Sequence, residues 1–123
     1  ESHTGSPIYH TDVLMYVGTT AIGICYEVIK PEYRELVKER VERFHDVIEI
    51  KKEQLLNFCG NCLEIPDKDG NLLLAMSTAA FNAYTELQKE KIEKHFKKIV
   101  HTDISTIEKY GGGSARCMLA ELF

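Results

Sequence analysis

The sequence predicts an α/β fold of consecutive ββαβ units, and three observations carry that expectation. Two hairpin signals, Gly18-Thr19 and Asp69-Gly70, each divide a pair of β-rich segments. A stretch of helical periodicity follows each pair, and an apolar segment of strand length follows each helix. The quartet His10-Thr11-Asp12-Val13 returns as His101-Thr102-Asp103-Ile104, each at an expected strand start. Four residues match by chance often, so the echo adds to the alternation and does not stand alone.

The first hairpin is read at His10 to Val17 and Thr20 to Ile29. Pro31 then opens a helix at the first position, where a missing N–H costs nothing. Tyr33, Val37, Val41 and Phe44 recur on one face of it, Glu32, Lys38, Glu39, Glu42 and Arg43 take the other, and it ends near His45. Asp46 to Ile50 is a short strand, and Lys51 to Phe58 has the composition of a short helix, with Gly60 as its stop. Leu63 to Ile65 and Asn71 to Ser77 flank the turn Pro66-Asp67-Lys68-Asp69-Gly70. Thr78 to Tyr84 reads as a brief helical turn. Thr85, an N-cap residue, begins a clearer helix through Leu87, Ile92 and Phe96. Lys97 to Ile104 is expected as a strand, Ser105 to Tyr110 as a short helical turn, and Ala115 to Leu122 as a last apolar strand after Gly111-Gly112-Gly113.

Composition removes several classes of function. At 123 residues the chain is one domain or part of one, and 44% hydrophobic against 28% charged residues suffices to bury a core. The longest apolar candidate, Val13 to Ile29, is interrupted by Gly18, Gly23 and Glu27, which excludes a membrane span. Fifteen Lys and Arg against 19 Asp and Glu give a net charge of −4, the wrong sign for a nucleic-acid partner. Four cysteines without a secretory apolar run fit free thiols in a reducing, cytoplasmic setting. The chain starts at Glu1 without an initiator Met, and a truncated polypeptide is expected.

The chemistry-bearing stretch is Gly111-Gly112-Gly113-Ser114-Ala115-Arg116-Cys117-Met118. Three consecutive glycines are costly in backbone entropy and imply positive φ or close approach to a ligand. The cysteine directly after them is a candidate nucleophile, beside Arg116; the plain alternative is a loop followed by a structural thiol. A proton-transfer partner would come from His3, His10, His45, His95 or His101. His3 lies near the terminus, and His45 and His95 fall at polar helix ends, where a solvated histidine is the ordinary account. His10 and His101 each precede a carboxylate by two residues, on one face if the segment is a strand, and spacing does not choose between them. Cys59-Gly60-Asn61-Cys62 has the spacing of a redox or zinc motif, yet a strand and Pro66 follow where a helix is required, and Cys25 and Cys117 supply no second pair. Free thiols are the default there, with no metal and no cofactor expected.

The stretch from Gly111 to Glu121 resembles the nucleophile motif of the guanidino-group modifying enzymes, the arginine deiminases, dimethylargininases and amidinotransferases. Pro7-Ile8-Tyr9-His10-Thr11-Asp12-Val13-Leu14-Met15 is similar to their catalytic-histidine segment, and Gly60-Asn61-Cys62-Leu63-Glu64 and Asp103 to Lys109 also have counterparts. The match looks best with the bacterial amidinotransferase-like group linked to citrulline utilisation. The resemblance implies a pentein α/β propeller of five ββαβ units. Residues 1–123 would hold roughly two of them, as the C-terminal portion of a single catalytic domain. The missing N-terminal units, or another chain, would complete it, and a homo-oligomer is left open as a separate matter. It further implies Cys117 as nucleophile, His10 as acid/base, and Asp12, Gly112, Gly113 and Arg116 around a small guanidino substrate. The outcome would be hydrolysis of an arginine-like compound, amidino transfer to an amine, or binding without turnover. His101 is left structural. Cys117, His10 and Asp12 should then converge on a channel lined by the central strand of each unit.

Overall fold

The computed structural model describes residues 5–122, and His3 lies outside them. Two three-stranded sheets make up its frame. The first joins β1 (Met15–Val17), β2 (Ala21–Ile24) and β3 (Asp46–Glu49), with β1 antiparallel and β3 parallel to the central β2. The second repeats the pattern with β4 (Leu63–Pro66), β5 (Leu72–Ser77) and β6 (Lys98–Thr102) around β5. A parallel third strand needs a crossover. Helix α1 (Pro31–Glu42) supplies it in the first half; α2 (Thr78–Ala83) and α3 (Glu86–Glu93) do so in the second. The ββαβ order therefore occurs twice.

Central strands are shielded on both faces, so β2 is buried along its whole length and β5 over its last four residues. In the β1–β2 pair Tyr16 stands opposite Gly23 and its ring lies over that glycine; a Cβ there would fall 2.0 Å from a ring carbon. One core draws on both sheets, with Tyr16, Ile48, Leu74, Met76, Ile92 and Phe96 among its members. On the opposite face of the first sheet, Ile22, Ile24 and Tyr26 take Val37 and Val41 of α1. Each of α1 and α3 starts as the sequence dictates: Pro31 is the first residue of one, and Thr85 and Gln88 form a reciprocal capping box at the other.

Polar clamps fix the halves together. Glu64 of β4 accepts hydrogen bonds from the Thr19 N–H (2.8 Å) and hydroxyl (2.6 Å) in the β1–β2 turn. The carboxamides of Gln54 and Gln88 bond each other and reach the carbonyls of Ala83 and Glu49. His95 corrects an expectation. Half-buried rather than solvated, it bonds Asp46 Oδ2 through Nε2 (2.9 Å) and the Thr20 hydroxyl through Nδ1 (2.8 Å), bridging from the end of α3 to the first sheet.

Other departures from the sequence reading sit around the site. The strand expected from His10 is a 3-10 turn over Thr11–Val13, and β1 begins only at Met15. Neither repeated quartet starts a strand, because His101 and Thr102 end β6. Tyr26–Val28 is a second 3-10 turn where strand was expected, and Lys52–Asn57 is 3-10 rather than α. That last turn is closed by Phe58 at φ 62°, not by Gly60. Gly60 is needed for another reason: a Cβ there would lie 2.3 Å from the carbonyl oxygen of Val13. Finally, Ala115 to Leu122 is no strand. It opens with a single helical turn, α5 (Ala115–Met118), preceded by α4 (Ser105–Gly111). Among the described residues β1, β3, β4 and β6 each pair on one side only, and no helix is long and apolar enough to cross a membrane.

Candidate active site

Three segments meet at one exposed sulfur. The first is the link from α4 to α5. Gly112, at φ 70°, closes α4 in the left-handed conformation that a side chain disfavours, its N–H donating to the Glu108 carbonyl (3.3 Å). Gly113 is favoured by proximity, since a Cβ would lie 3.0 Å from Cys117 Cβ and 3.1 Å from Sγ, tight enough that the Cys117 turn would have to give by a few tenths of an ångström. Ser114, wholly buried, donates its hydroxyl to Glu108 Oε1 (2.5 Å), and its carbonyl accepts the Cys117 N–H (3.0 Å). The tight turn leaves Cys117 exposed.

The second segment is the Thr11–Val13 turn, closed by the Val13 N–H on the His10 carbonyl (3.2 Å). It carries Asp12 to Cys117, with the thiol donating to Asp12 Oδ2 at 3.5 Å. The third is the loop before β4. Its Asn61, 4% exposed, donates from Nδ2 to the Asp12 carbonyl (3.0 Å) and to Cys117 Sγ (3.3 Å), and accepts the Arg116 N–H on Oδ1 (3.1 Å).

Of the residues singled out by sequence, Asp12 and Cys117 are in contact. His10 sits two residues before Asp12 with its ring exposed, and no hydrogen bond ties that ring to Cys117 among the described residues. Arg116 reaches the cluster through its main chain. With Thr11, Asp12, Glu64 and Glu121 it lines a cavity of about 280 Å³ beside β1 and β4. These groups lie on turns flanking the strands, not on central strands. Asn61 is not among the residues that the sequence singles out, because the chemistry-bearing types in Cys59-Gly60-Asn61-Cys62 are its cysteines. A polar residue between two thiols and directly after a glycine was the available signal.

Those cysteines are inert by position. Cys59 and Cys62 are fully buried, their thiols donating to the carbonyls of Ala80 (3.6 Å) and Cys59 (3.3 Å). Burial pushes the Cys59 thiol up to about 12 and raises Cys62 and Cys25 as well, so none is a ready thiolate. No three His, Cys, Asp or Glu side chains stand close enough to hold a metal ion among the described residues. His101 stacks on Phe81 at 4.1 Å and shares a hydrogen bond with the Thr78 hydroxyl (2.9 Å).

Solved structures share this fold. ArgZ, an arginine dihydrolase from the ornithine–ammonia cycle in cyanobacteria, matches in its apo form with TM-score 0.65 and 20% identity over 89% of this chain and 16% of that chain. Its N-terminal domain bound to product matches with TM-score 0.66 and 20% identity, over 89% of this chain and 36% of that one. The same domain, as a mutant bound to substrate, gives 0.65 and 21% over 88% and 36%. At that identity the likeness is one of fold, and the chain spans about a third of the matched domain. No curated protein matches the sequence significantly. The model of the eukaryotic N,N-dimethylarginine dimethylhydrolases, by contrast, matches residues 1–123, so the chain belongs to that family within the guanidino-group modifying superfamily.

Proposed function

We propose that the protein is a cysteine-dependent hydrolase of a guanidino compound, an arginine-like substrate, acting through a covalent amidino-thioether on Cys117. One observation carries this reading: the exposed thiol, in a chain whose other three cysteines are buried, lies 3.5 Å from a carboxylate. A guanidinium is a planar array of donors that accepts nothing, so a carboxylate beside the nucleophile suits it.

In the first step the Cys117 thiolate attacks the guanidinium carbon, an S–C bond forms, and the C–N bond to the departing amine breaks as His10 protonates that nitrogen. In the second, His10 takes a proton from water, the hydroxide adds to the same carbon, the C–S bond breaks with its electron pair returning to sulfur, and the added hydroxyl gives up its proton to solvent as the carbonyl forms. A ureido product leaves. Asp12 holds guanidinium N–H groups by charge-assisted hydrogen bonds, Gly112 and Gly113 let the main chain pass close to the substrate, and Arg116 lines the cavity beside it. None of these steps calls for a metal or cofactor. Hydrolysis is preferred to amidino transfer because the family matched is one of hydrolases by name.

The propeller reading extends this. Residues 1–123 would be roughly two of five units, and the carboxylates that grip the substrate and orient His10 would come from the missing units or another chain. The open sheet edges and the 36% coverage of the ArgZ domain support it. A cytoplasmic setting goes with a free thiol nucleophile. The test is colorimetric detection of a ureido product from arginine and N,N-dimethylarginine with the intact protein. Cys117→Ser and His10→Ala should each abolish it, and activity retained in either overturns the assignment.

A further inference from the structure

We propose that Asn61 is a positioning residue for Cys117, its side-chain N–H donating to the sulfur and holding it, as thiolate, where the substrate carbon will sit. The proposal rests on Cys117 being the nucleophile.

The carboxamide has no rotational freedom. Both Nδ2 hydrogens are used, one on the Asp12 carbonyl at 3.0 Å and one on Cys117 Sγ at 3.3 Å, and Oδ1 takes the Arg116 N–H at 3.1 Å. Turning the amide over would aim an oxygen at two acceptors and an NH₂ group at a donor, so the network itself assigns the orientation. The main-chain carbonyl of Asn61 adds a bond from the Arg116 N–H at 3.4 Å. One buried residue thus holds the backbone of the turn that carries Asp12, the backbone before the nucleophile and the nucleophile's own side chain.

A donor aimed at sulfur acts differently on its two protonation states, because a hydrogen bond to an ion is roughly twice as strong as one between neutral groups. Asp12 works the other way. A carboxylate 3.5 Å from the sulfur repels a thiolate until a cation arrives. Asn61 is a neutral donor that favours the anion without consuming the charge that Asp12 keeps for the substrate. Asp at this position would add a second carboxylate. Gly60 explains how the loop comes close enough, since any Cβ there would collide with the Val13 carbonyl, one peptide beyond the Asp12 oxygen that Asn61 binds.

The experiment compares wild-type protein with Asn61→Asp, which keeps the size and the acceptor for Arg116 but loses the donor, and Asn61→Ser, which is too short to reach the sulfur. Iodoacetamide reads the sulfur directly, because Cys117 is the one exposed cysteine. Alkylation should slow about tenfold or more in both variants, and kcat should fall by at least as much with KM within about twofold. Wild-type alkylation rates in either variant, a loss confined to KM, or failure of both variants to fold would overturn the proposal. If Cys117→Ser retains turnover the proposed function fails, and the alkylation rates still decide the role of Asn61.

Discussion

Cys117 Sγ and Asp12 Oδ2 stand 3.5 Å apart although 105 residues separate them in sequence. The contact ties the turn after α4 to the turn before β1, across the seam between the two sheets. In the free protein the thiol proton is directed at the carboxylate. A guanidinium entering the seam would give its own N–H groups to Asp12 and present its carbon to the sulfur.

Asp12→Asn keeps the size of the side chain and removes its charge. For a cationic substrate KM should rise about tenfold or more, as expected for a hydrogen bond to a charged group, with the thermal midpoint nearly unchanged. Steady-state kinetics and a melting curve measure both. An unchanged KM would place the guanidinium elsewhere.

Gly113→Ala introduces a methyl group 3.0 Å from Cys117 Cβ, which only a shift of the α5 turn by a few tenths of an ångström relieves. Since Cys117 is exposed, the cost in stability should stay near 1 kcal/mol while turnover drops about tenfold or more, because small displacements of a reacting atom are expensive. Equal activity in the variant would show that the sulfur does not need its present position.

Gly60→Ala should act on stability instead. Its Cβ would meet main-chain atoms of Val13 and Leu14, which cannot swing aside as a side chain does. Urea unfolding should show a loss of about 2–3 kcal/mol. A loss below about 0.5 kcal/mol would mean that the Asn61 loop and the Asp12 turn are not tightly docked.

Asp46 links charge to folding. Its carboxyl is held below the usual carboxylate value, first by the hydrogen bond from His95 and then by Lys91. A depressed folded-state value gives stability that is present above the unfolded value of about 3.9 and lost as pH falls through the folded value. Asp46→Asn should therefore flatten the acid limb of the stability profile below about pH 4. At neutral pH it should cost under about 1 kcal/mol, because the side chain is half exposed and screened. Chemical denaturation at several pH values reads the slope.

Much of the frame was legible, for identifiable reasons. The six strands announce themselves through turn residues between short apolar segments, and α1 and α3 through Pro31 and the Thr85 cap followed by helical spacing. The site was harder. An apolar run as short as Ala115 to Leu122 does not distinguish strand from helical turn by periodicity, and Gly112 with Gly113 tips it into the turn that exposes Cys117. Residues 10–13 misled in the same way, and Asp12 reaches the sulfur because its segment coils. Asn61 is marked in the sequence only by its place after Gly60 and between two thiols, because the partners that give it a role lie 49, 55 and 56 residues away. His95 looked solvated because nothing near it in sequence reveals Thr20 and Asp46.

The most direct test of the account is to trap its covalent intermediate. Intact protein mixed with N,N-dimethylarginine, quenched in acid within the first turnovers and digested, should yield a Cys117 peptide heavier by the substrate less dimethylamine. The Cys117→Ser protein should yield no adduct and no ureido product. Turnover with no adduct on Cys117, or turnover surviving in Cys117→Ser, would contradict the claim that this sulfur is the nucleophile.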